Sequence, residues 1–498
     1  MSPDEIVQLR KTAFNAFDPQ NEKLINQESD EYIEIFTEDS NPITEMREAI
    51  TFGEPGRCQF FSGSRGSGKT TQLARLSRML KNDRYTVINI NALEYFNPSE
   101  PIEPGDLLIV LAAALSEAVA PILGTDPSRV GYLSRLWDYL RLTKAQIDAL
   151  DISAKYGPLE AGFKMQFRTT DSFRAKVREL VATRTDDLKK ATDLYFQNIA
   201  DQLATLQPGR AGFVLILDQF EQIRGTLTNA SEVIESLLRL FTHHRDLLPM
   251  PGWHIIYTVP PWLNLAYPGS VDIACFLPCI KLWKNTLLGQ PRELYPDGWQ
   301  KLREIIERRA KADNLDTLFG PTDQKGKRPI VEEMIQYSGG HLRDLFAIVS
   351  RCILSARQLP VKEEHVKTAV ANLAASMALS EADSLILREV LRTRADCRPD
   401  RKPETTMEYA ILLDGHLILE FRNGKAWFDV HPAIAKDVEI IAKRVEDRKL
   451  AAAIAKEQAL AARQQSGGSS GSSGYGSSSG SSHGSGSSYS SGSANPLP

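Results

Sequence analysis

Eight residues, Gly63-Ser64-Arg65-Gly66-Ser67-Gly68-Lys69-Thr70, carry the most specific chemistry in this sequence, because they fit the spacing GxxxxGK[ST]. Glycines so placed let successive backbone N–H groups turn inward, which makes an anion nest at the positive end of a helix. Lys69 is then positioned to reach the β- and γ-phosphates of ATP, and the Thr70 hydroxyl to ligate Mg2+. Thr71 completes the expected nucleotide-binding set. The motif demands a strand before it and a helix after it. Arg57-Cys58-Gln59-Phe60-Phe61-Ser62 reads as the strand, and the run from Thr70 to Leu76 has helical periodicity.

A metal-bound phosphate also needs an acidic partner at the end of another buried strand, and Gly212-Phe213-Val214-Leu215-Ile216-Leu217-Asp218 supplies one. Asp218 is expected to hold Mg2+ through water. Glu221, three residues on, is the candidate to orient the attacking water; the alternative is a solvated carboxylate favoured by a helix start. Tyr85 to Ile90, Trp253 to Val259 and Ile273 to Trp283 are near-continuous apolar runs, as strands of a parallel sheet covered on both faces should be. Thr258 falls at the carboxyl end of the fourth strand, where ligands of such sheets lie. It is either a γ-phosphate sensor or a hydroxyl satisfied before Pro260-Pro261.

The chain has 498 residues, too many for one hydrophobic core, so two to four domains are expected. Its 42% apolar fraction is that of a folded soluble protein. It holds no run of about 18 uncharged apolar residues, and its N-terminus is acidic where a signal peptide would be basic, so a cytoplasmic location with no membrane partner is expected. Cys58, Cys275, Cys279, Cys352 and Cys397 show no CxxC pairing and are expected to be reduced. No zinc site is expected at Cys275 and Cys279. The net charge of −4 leaves no whole-chain footprint for nucleic acid.

Helices are expected at 2–17 and at 41–51, the second opening on Asn41-Pro42. Residues 91–211 are far longer than one crossover requires. That insertion reads as an apolar helix near 105–123, a Trp/Tyr-bearing helix near 130–148, a strand over Gly162 to Arg168, and a long helix after Asp171. Residues 329–378 read as helices broken at Gly339-Gly340. Beyond them come helices over Ser380 to Arg394 and Thr405 to Leu413, then a hairpin about Asn423-Gly424. A solvent-exposed helix at 446–465 leads into residues 466–498, a Ser/Gly-rich stretch expected to be a disordered tail.

Taken together, Gly63 to Thr70, Leu217-Asp218-Gln219-Phe220-Glu221 and Ser338-Gly339-Gly340-His341-Leu342-Arg343-Asp344-Leu345 give a sequence that resembles the AAA+/STAND class of P-loop ATPases, in its ORC/Cdc6-like branch. The resemblance implies an α/β fold: an N-terminal helical segment (1–50), an ATPase core of parallel sheet (51–285), a helical lid (286–379), a winged helix (380–445), a helix and the tail. It implies that Arg343, on a sensor 2 helix, reads the phosphates, so that Glu221, Arg343 and Thr258 form the catalytic set. It departs from the AAA+ pattern in having no arginine between the fourth and fifth strands, with Arg224 and Arg245 weak substitutes for a finger. That loss suits a slow STAND-type switch that self-associates on binding ATP, in signalling or antiviral defence. The rivals are a DNA-binding initiator or loader and a nucleotide-binding scaffold without turnover. From Ser380 to Ile440 there are twelve Asp/Glu against nine Lys/Arg, and the candidate recognition helix Glu404 to Leu413 lacks Lys, Arg, Asn and Gln. DNA is therefore disfavoured, and a protein partner is expected at the winged helix, the insertion or the tail.

Overall fold

The computed structural model describes residues 2–19, 32–36, 41–124, 159–226, 228–266, 275–286, 290–395, 397, 403–423 and 425–467. The chain divides into two units, Met1–Ala442 and Lys443–Pro498. The second is described through Gly467 as the end of the helix Ala435–Gly467, whose side chains are exposed from 446 to 460. The expected tail lies outside the described residues from 468 onward.

Five parallel strands build the first unit: β1 (Arg57–Gly63), β2 (Tyr85–Asn91), β3 (Gly212–Asp218), β4 (Trp253–Val259) and β5 (Cys275–Leu277), in the order β2-β3-β4-β1-β5. All four pairings are parallel, so the carboxyl ends of β1 and β3 emerge on one edge, with β4 between them. Phe61, Val214 and Ile256 face helices Pro42–Thr51 and Lys69–Asn82. Phe60, Leu215 and Tyr257 face the other way, toward helices Pro104–Leu123, Thr185–Leu206 and Ala230–Thr242. Both faces are buried, which is why the strands read as continuous apolar runs.

Pro104–Leu123 is, among the described residues, the one helix long and apolar enough to cross a membrane, but 72% of its apolar window is buried inside the fold. Its hydrophobicity on every side follows from its position between the sheet and the other insertion helices. The insertion's described helices bury most of their apolar residues in that core, while Met165, Leu194 and Leu206 stay exposed.

Three expected elements differ. Gly162 to Arg168 is not a strand but part of the helix Leu159–Thr169. Phe163, Met165 and Phe167 alternate like strand residues, yet Phe163 and Phe167 are also one helical turn apart, and their rings stack at 5.3 Å. The helix after Asp171 is two, Asp171–Val181 and Thr185–Leu206, the second opening on Asp186 and Asp187, which suit a helix N-terminus. Of the strand expected over Ile273 to Trp283, residues 273 and 274 lie outside the described residues, and from 275 on only Cys275–Leu277 is strand, because Pro278 ends the ladder and the chain turns away to bond elsewhere: Cys279 N–H donates to Glu420 O and Ile280 N–H to Gly340 O. The expected 130–148 helix lies outside the described residues.

Helices Pro296–Ala310, Pro329–Ser338, Leu342–Ser355 and Glu363–Ser376 share a second core, to which the helix Pro3–Ala16 adds Leu9 and Ala13. Helices Glu381–Thr393 and Pro403–Asp414 and the antiparallel hairpin β6 (Ile418–Asn423) and β7 (Lys425–Val430) follow. Leu387, Tyr409, Leu413 and Phe428 join the sheet's own core. The hairpin's other face meets Gly339, where a Cβ would lie 2.5 Å from Leu419 Cδ1. The five cysteines are free, Cys275, Cys279 and Cys352 buried and Cys58 and Cys397 half-buried.

Glu420 on β6 is buried beside Arg422, 3.2 Å away. Burial pushes its carboxyl up to about 7 while the guanidinium pulls it down. The folded state thus favours the neutral acid, and the stability this gives is complete below the ordinary carboxylate range and lost as the pH rises through about 7. Glu420→Gln, which imitates the neutral form, is expected to unfold in urea like the wild type near about pH 4 and to be more stable by on the order of 1–3 kcal/mol near about pH 8. Parallel profiles across that range would refute the assignment.

Candidate functional site

β1 delivers Gly63 to a loop that closes around its own lysine. Lys69 Nζ donates to the carbonyls of Gly63 (2.9 Å) and Ser64 (3.0 Å), and Ser67 Oγ donates to Ser64 O (2.8 Å). Gly66 and Gly68 have φ of 85° and 98°, a left-handed backbone that other residues rarely adopt. Helix Lys69–Asn82 starts there without a side-chain cap, so its first N–H groups stay free for an anion.

β3 brings the acidic partner. Asp218 Oδ1 accepts from Gln219 N–H at 2.7 Å, and the Thr70 hydroxyl is hydrogen-bonded to the same carboxylate. The two residues expected to serve Mg2+ are therefore in contact. Burial pushes Asp218 up to about 6, the Glu221 carboxylate adding to the effect, while the Thr70 and Gln219 hydrogen bonds and Lys69 oppose it. Oxygen donors and excess negative charge fit a hard divalent cation.

Gln219 turns the chain at φ 64°, and the next residue is fixed twice. Phe220 N–H donates to Thr258 Oγ1 at 3.0 Å, and the Phe220 ring packs edge-on against Phe96 and Phe241. This holds Glu221 in the interior, where Oε1 pairs with Lys69 Nζ at 3.1 Å and Oε2 has no hydrogen-bond partner. Thr258 itself is fully buried and hydrogen-bonded to Leu217 O as well, so its hydroxyl is committed to this turn and does not line the cavity.

That cavity, of about 200 Å³, is floored by Arg65 through Gln72 and reached by Glu221 and Arg343. Arg343 enters from helix Leu342–Ser355. Its N–H bonds Gly66 O at 3.3 Å, and a Cβ on Gly66 would lie 2.5 Å from its own Cβ. Burial lowers the Arg343 pKa, and the nearby Arg224 lowers it further. Neither guanidinium has a hydrogen bond or ion pair among the described residues. Two cations close enough to repel each other favour an anion between them. Arg245, by contrast, lies over Phe60 and near Cys58, toward the start of β1 and away from the loop.

Sequence reasoning missed two walls. Tyr32, Ile33 and Ile35 form one, tied to the loop's helix by hydrogen bonds between Tyr32 and both Gln72 and Arg75 and by the Glu34–Arg75 ion pair. Ile305, Arg309 and Phe346 form the other. Neither carries a motif, since shape and apolar area suffice for a nucleobase. Also missed was Asp414, hydrogen-bonded by Trp262 Nε1 and pushed up to about 6 by burial, with Arg224 opposing.

No family model matches the chain, and no curated protein does. Among solved structures it is similar to Cdc6p from Pyrobaculum aerophilum, with 12% identity, 86% of this chain and 98% of that one covered, and a TM-score of 0.31. It is also similar to the ORC2 protein of Aeropyrum pernix in its ADPNP–ADP complexes, at 14% identity, 84% and 97% coverage and TM-score 0.33. The ADP form of that protein gives 13%, 86%, 98% and 0.35.

Gly66→Ala is expected to force the loop and Arg343 apart while leaving the fold intact by circular dichroism. Affinity for a fluorescent ATP analogue should fall at least tenfold, about 1.4 kcal/mol. An unchanged affinity would mean that this contact does not shape the site.

Proposed function

We propose that the chain is an ATP-binding and ATP-hydrolysing switch of AAA+ kind. The observation that carries this is the buried Lys69–Glu221 pair at the centre of a phosphate loop, beside the Thr70–Asp218 contact. An incoming γ-phosphate competes with Glu221 for the Lys69 ammonium. Once released, Glu221 has a free carboxylate in a water-poor interior, suited to orient a water and take its proton. Arg343 and Arg224 are cations within reach of the charge that develops on the phosphoryl oxygens. Thr70 and Asp218 would hold Mg2+, which when bound neutralises phosphate charge. Thr258 acts by positioning the Glu221 turn.

Arg343 also gives the reading its switch. It sits on a helical lid that shares a backbone hydrogen bond with the loop, so phosphate occupancy acts directly on lid position. Glu221→Gln is expected to keep ATP affinity while turnover falls at least tenfold, about 1.4 kcal/mol in barrier. The same variant, held with ATP, should reveal ATP-dependent self-association by mass photometry. Undiminished turnover would assign the water to another residue, and a mass independent of nucleotide would remove the assembly step.

The helices and hairpin of 380–445 support a winged-helix module facing protein rather than duplex. Arg422 is occupied by Glu420 and Phe276, Arg394 and Arg292 by Asp429, and Arg392 by Glu389. Tyr409, Ala410, Leu412 and Leu413 of the candidate recognition helix are buried. Arg398, Arg401 and Lys402 lie outside the described residues. Full-length protein with ATP should bind duplex DNA only weakly, with affinity fading steeply across a salt series. Sequence-selective binding at physiological salt would favour the initiator or loader reading instead.

A further inference from the structure

Away from the phosphate loop, three histidines and one aspartate converge from segments distant in sequence. His341 caps helix Leu342–Ser355 and Asp344 lies in that helix's first turn. His416 comes from the turn after Pro403–Asp414, and His431 follows β7. All surround Asp344 Oδ2: His341 Nδ1 at 2.7 Å, His431 Nε2 at 3.3 Å and His416 Nδ1 at 3.5 Å. The rings of His341 and His416 have centroids 4.1 Å apart. His341 and His431 are fully buried.

Hydrogen-bond roles fix the tautomers. Arg65 O, 2.6 Å from His341 Nε2, is a carbonyl and can only accept, so Nε2 carries the hydrogen. In the neutral ring Nδ1 is then a bare lone pair, and it faces a carboxylate oxygen. His431 Nδ1 accepts from Ala433 N–H, so its Nε2 carries the hydrogen and points that hydrogen's charge toward Asp344. With His431 Nε2–H directed at Asp344 Oδ2, His341 Nδ1 is left as a lone pair against that same oxygen, and His416 Nε2, the ring nitrogen that does not face Asp344, is buried without a hydrogen-bond partner. Electron pairs of His341 Nδ1 and Asp344 Oδ2 facing each other at 2.7 Å in the interior need a cation between them.

We propose that His341, Asp344 and His416 bind a zinc-class divalent ion, with a water as the fourth ligand. Their ligand atoms all lie within 4.8 Å of one another. Tetrahedral zinc with bonds of about 2.0–2.1 Å separates its ligands by roughly 3.3 Å, so the His416–Asp344 pair already fits and the His341–Asp344 pair opens by about half an ångström. Two imidazoles and a carboxylate suit zinc better than magnesium or calcium. The outer contacts follow the pattern of real sites, in which a ligating histidine gives its other N–H to a carbonyl and a ligating carboxylate is held by a neighbour. Here Arg65 O takes the first part and His431 the second. The ion joins helix 342–355 to the C-terminal hairpin, and through His341 to the phosphate loop itself. The site stands whether or not the chain hydrolyses ATP.

The test uses full-length protein, stripped with a chelator and dialysed, then titrated with Zn2+ by calorimetry at neutral pH. One equivalent should bind. Co2+ in its place should give the intense visible bands of a tetrahedral nitrogen and oxygen site, without a thiolate charge-transfer band. His416→Ala should lower Zn2+ affinity at least a hundredfold, and His431→Gln, which keeps a polar group while leaving the ligands in place, about ten- to a hundredfold. Circular dichroism of both variants guards against misfolding, and His431→Gln alone decides if His416→Ala does not fold. Absence of stoichiometric uptake, a weak octahedral Co2+ spectrum, or affinity untouched by these changes would overturn the proposal and leave a proton on His341 as the bridging charge.

Discussion

The ammonium of Lys69 is almost wholly removed from water, and the surrounding structure is arranged to compensate for that one charge. An isolated buried cation is costly, so the loop turns two carbonyls toward it and Glu221 lends a carboxylate. Placing those carbonyls requires the left-handed glycines. Placing Glu221 requires the Gln219 turn, which in turn leans on a threonine hydroxyl from β4. The two carbonyls belong to the loop itself, so Glu221 is the partner that a phosphate oxygen could replace without uncovering the charge. A site so built accepts its ligand by substitution of partners rather than by creating new interactions from water.

What was legible in the sequence divides along physical lines. Gly66, Gly68, Lys69 and Asp218 were legible because backbone conformation and charge at a strand end leave few residue choices. The sheet was legible because strands buried on both faces cannot hide their apolar runs. For Thr258 the sequence left two roles open, sensor or satisfied hydroxyl, since a hydroxyl at a strand end serves a neighbouring turn as readily as a ligand. Phe163 and Phe167 misled because a four-residue spacing satisfies both a strand and a helix, and only the partner surface decides. Tyr32, Ile305 and Phe346 were silent for a different reason: they act by shape, assembled from segments far apart in the chain. His341 and Asp344 do lie three residues apart at one helix start, but His416 and His431 come from distant segments and share that silence.

Glycine does its work most plainly at Gly340. A Cβ there would lie 1.7 Å from Ile280 O, so the chain beyond β5 can run against the Gly-Gly break only because the side chain is missing. The close approach allows the Ile280–Gly340 hydrogen bond, and the adjacent Cys279–Glu420 bond ties the hairpin to the same strip of backbone. The helix carrying Arg343 is thus anchored at its start by backbone contacts and left to its side chains elsewhere.

The segment containing Tyr32 and Glu34 has a kinetic consequence. It is held to the phosphate-loop helix through Gln72 and Arg75, and Arg308 Nη1 donates to Tyr32 O at 2.7 Å from the opposite wall. One short stretch of chain therefore clasps both sides of the cavity. On the proposed reading, a base seated there would leave only when these polar contacts part together, which would couple release of spent nucleotide to the opening of the clasp.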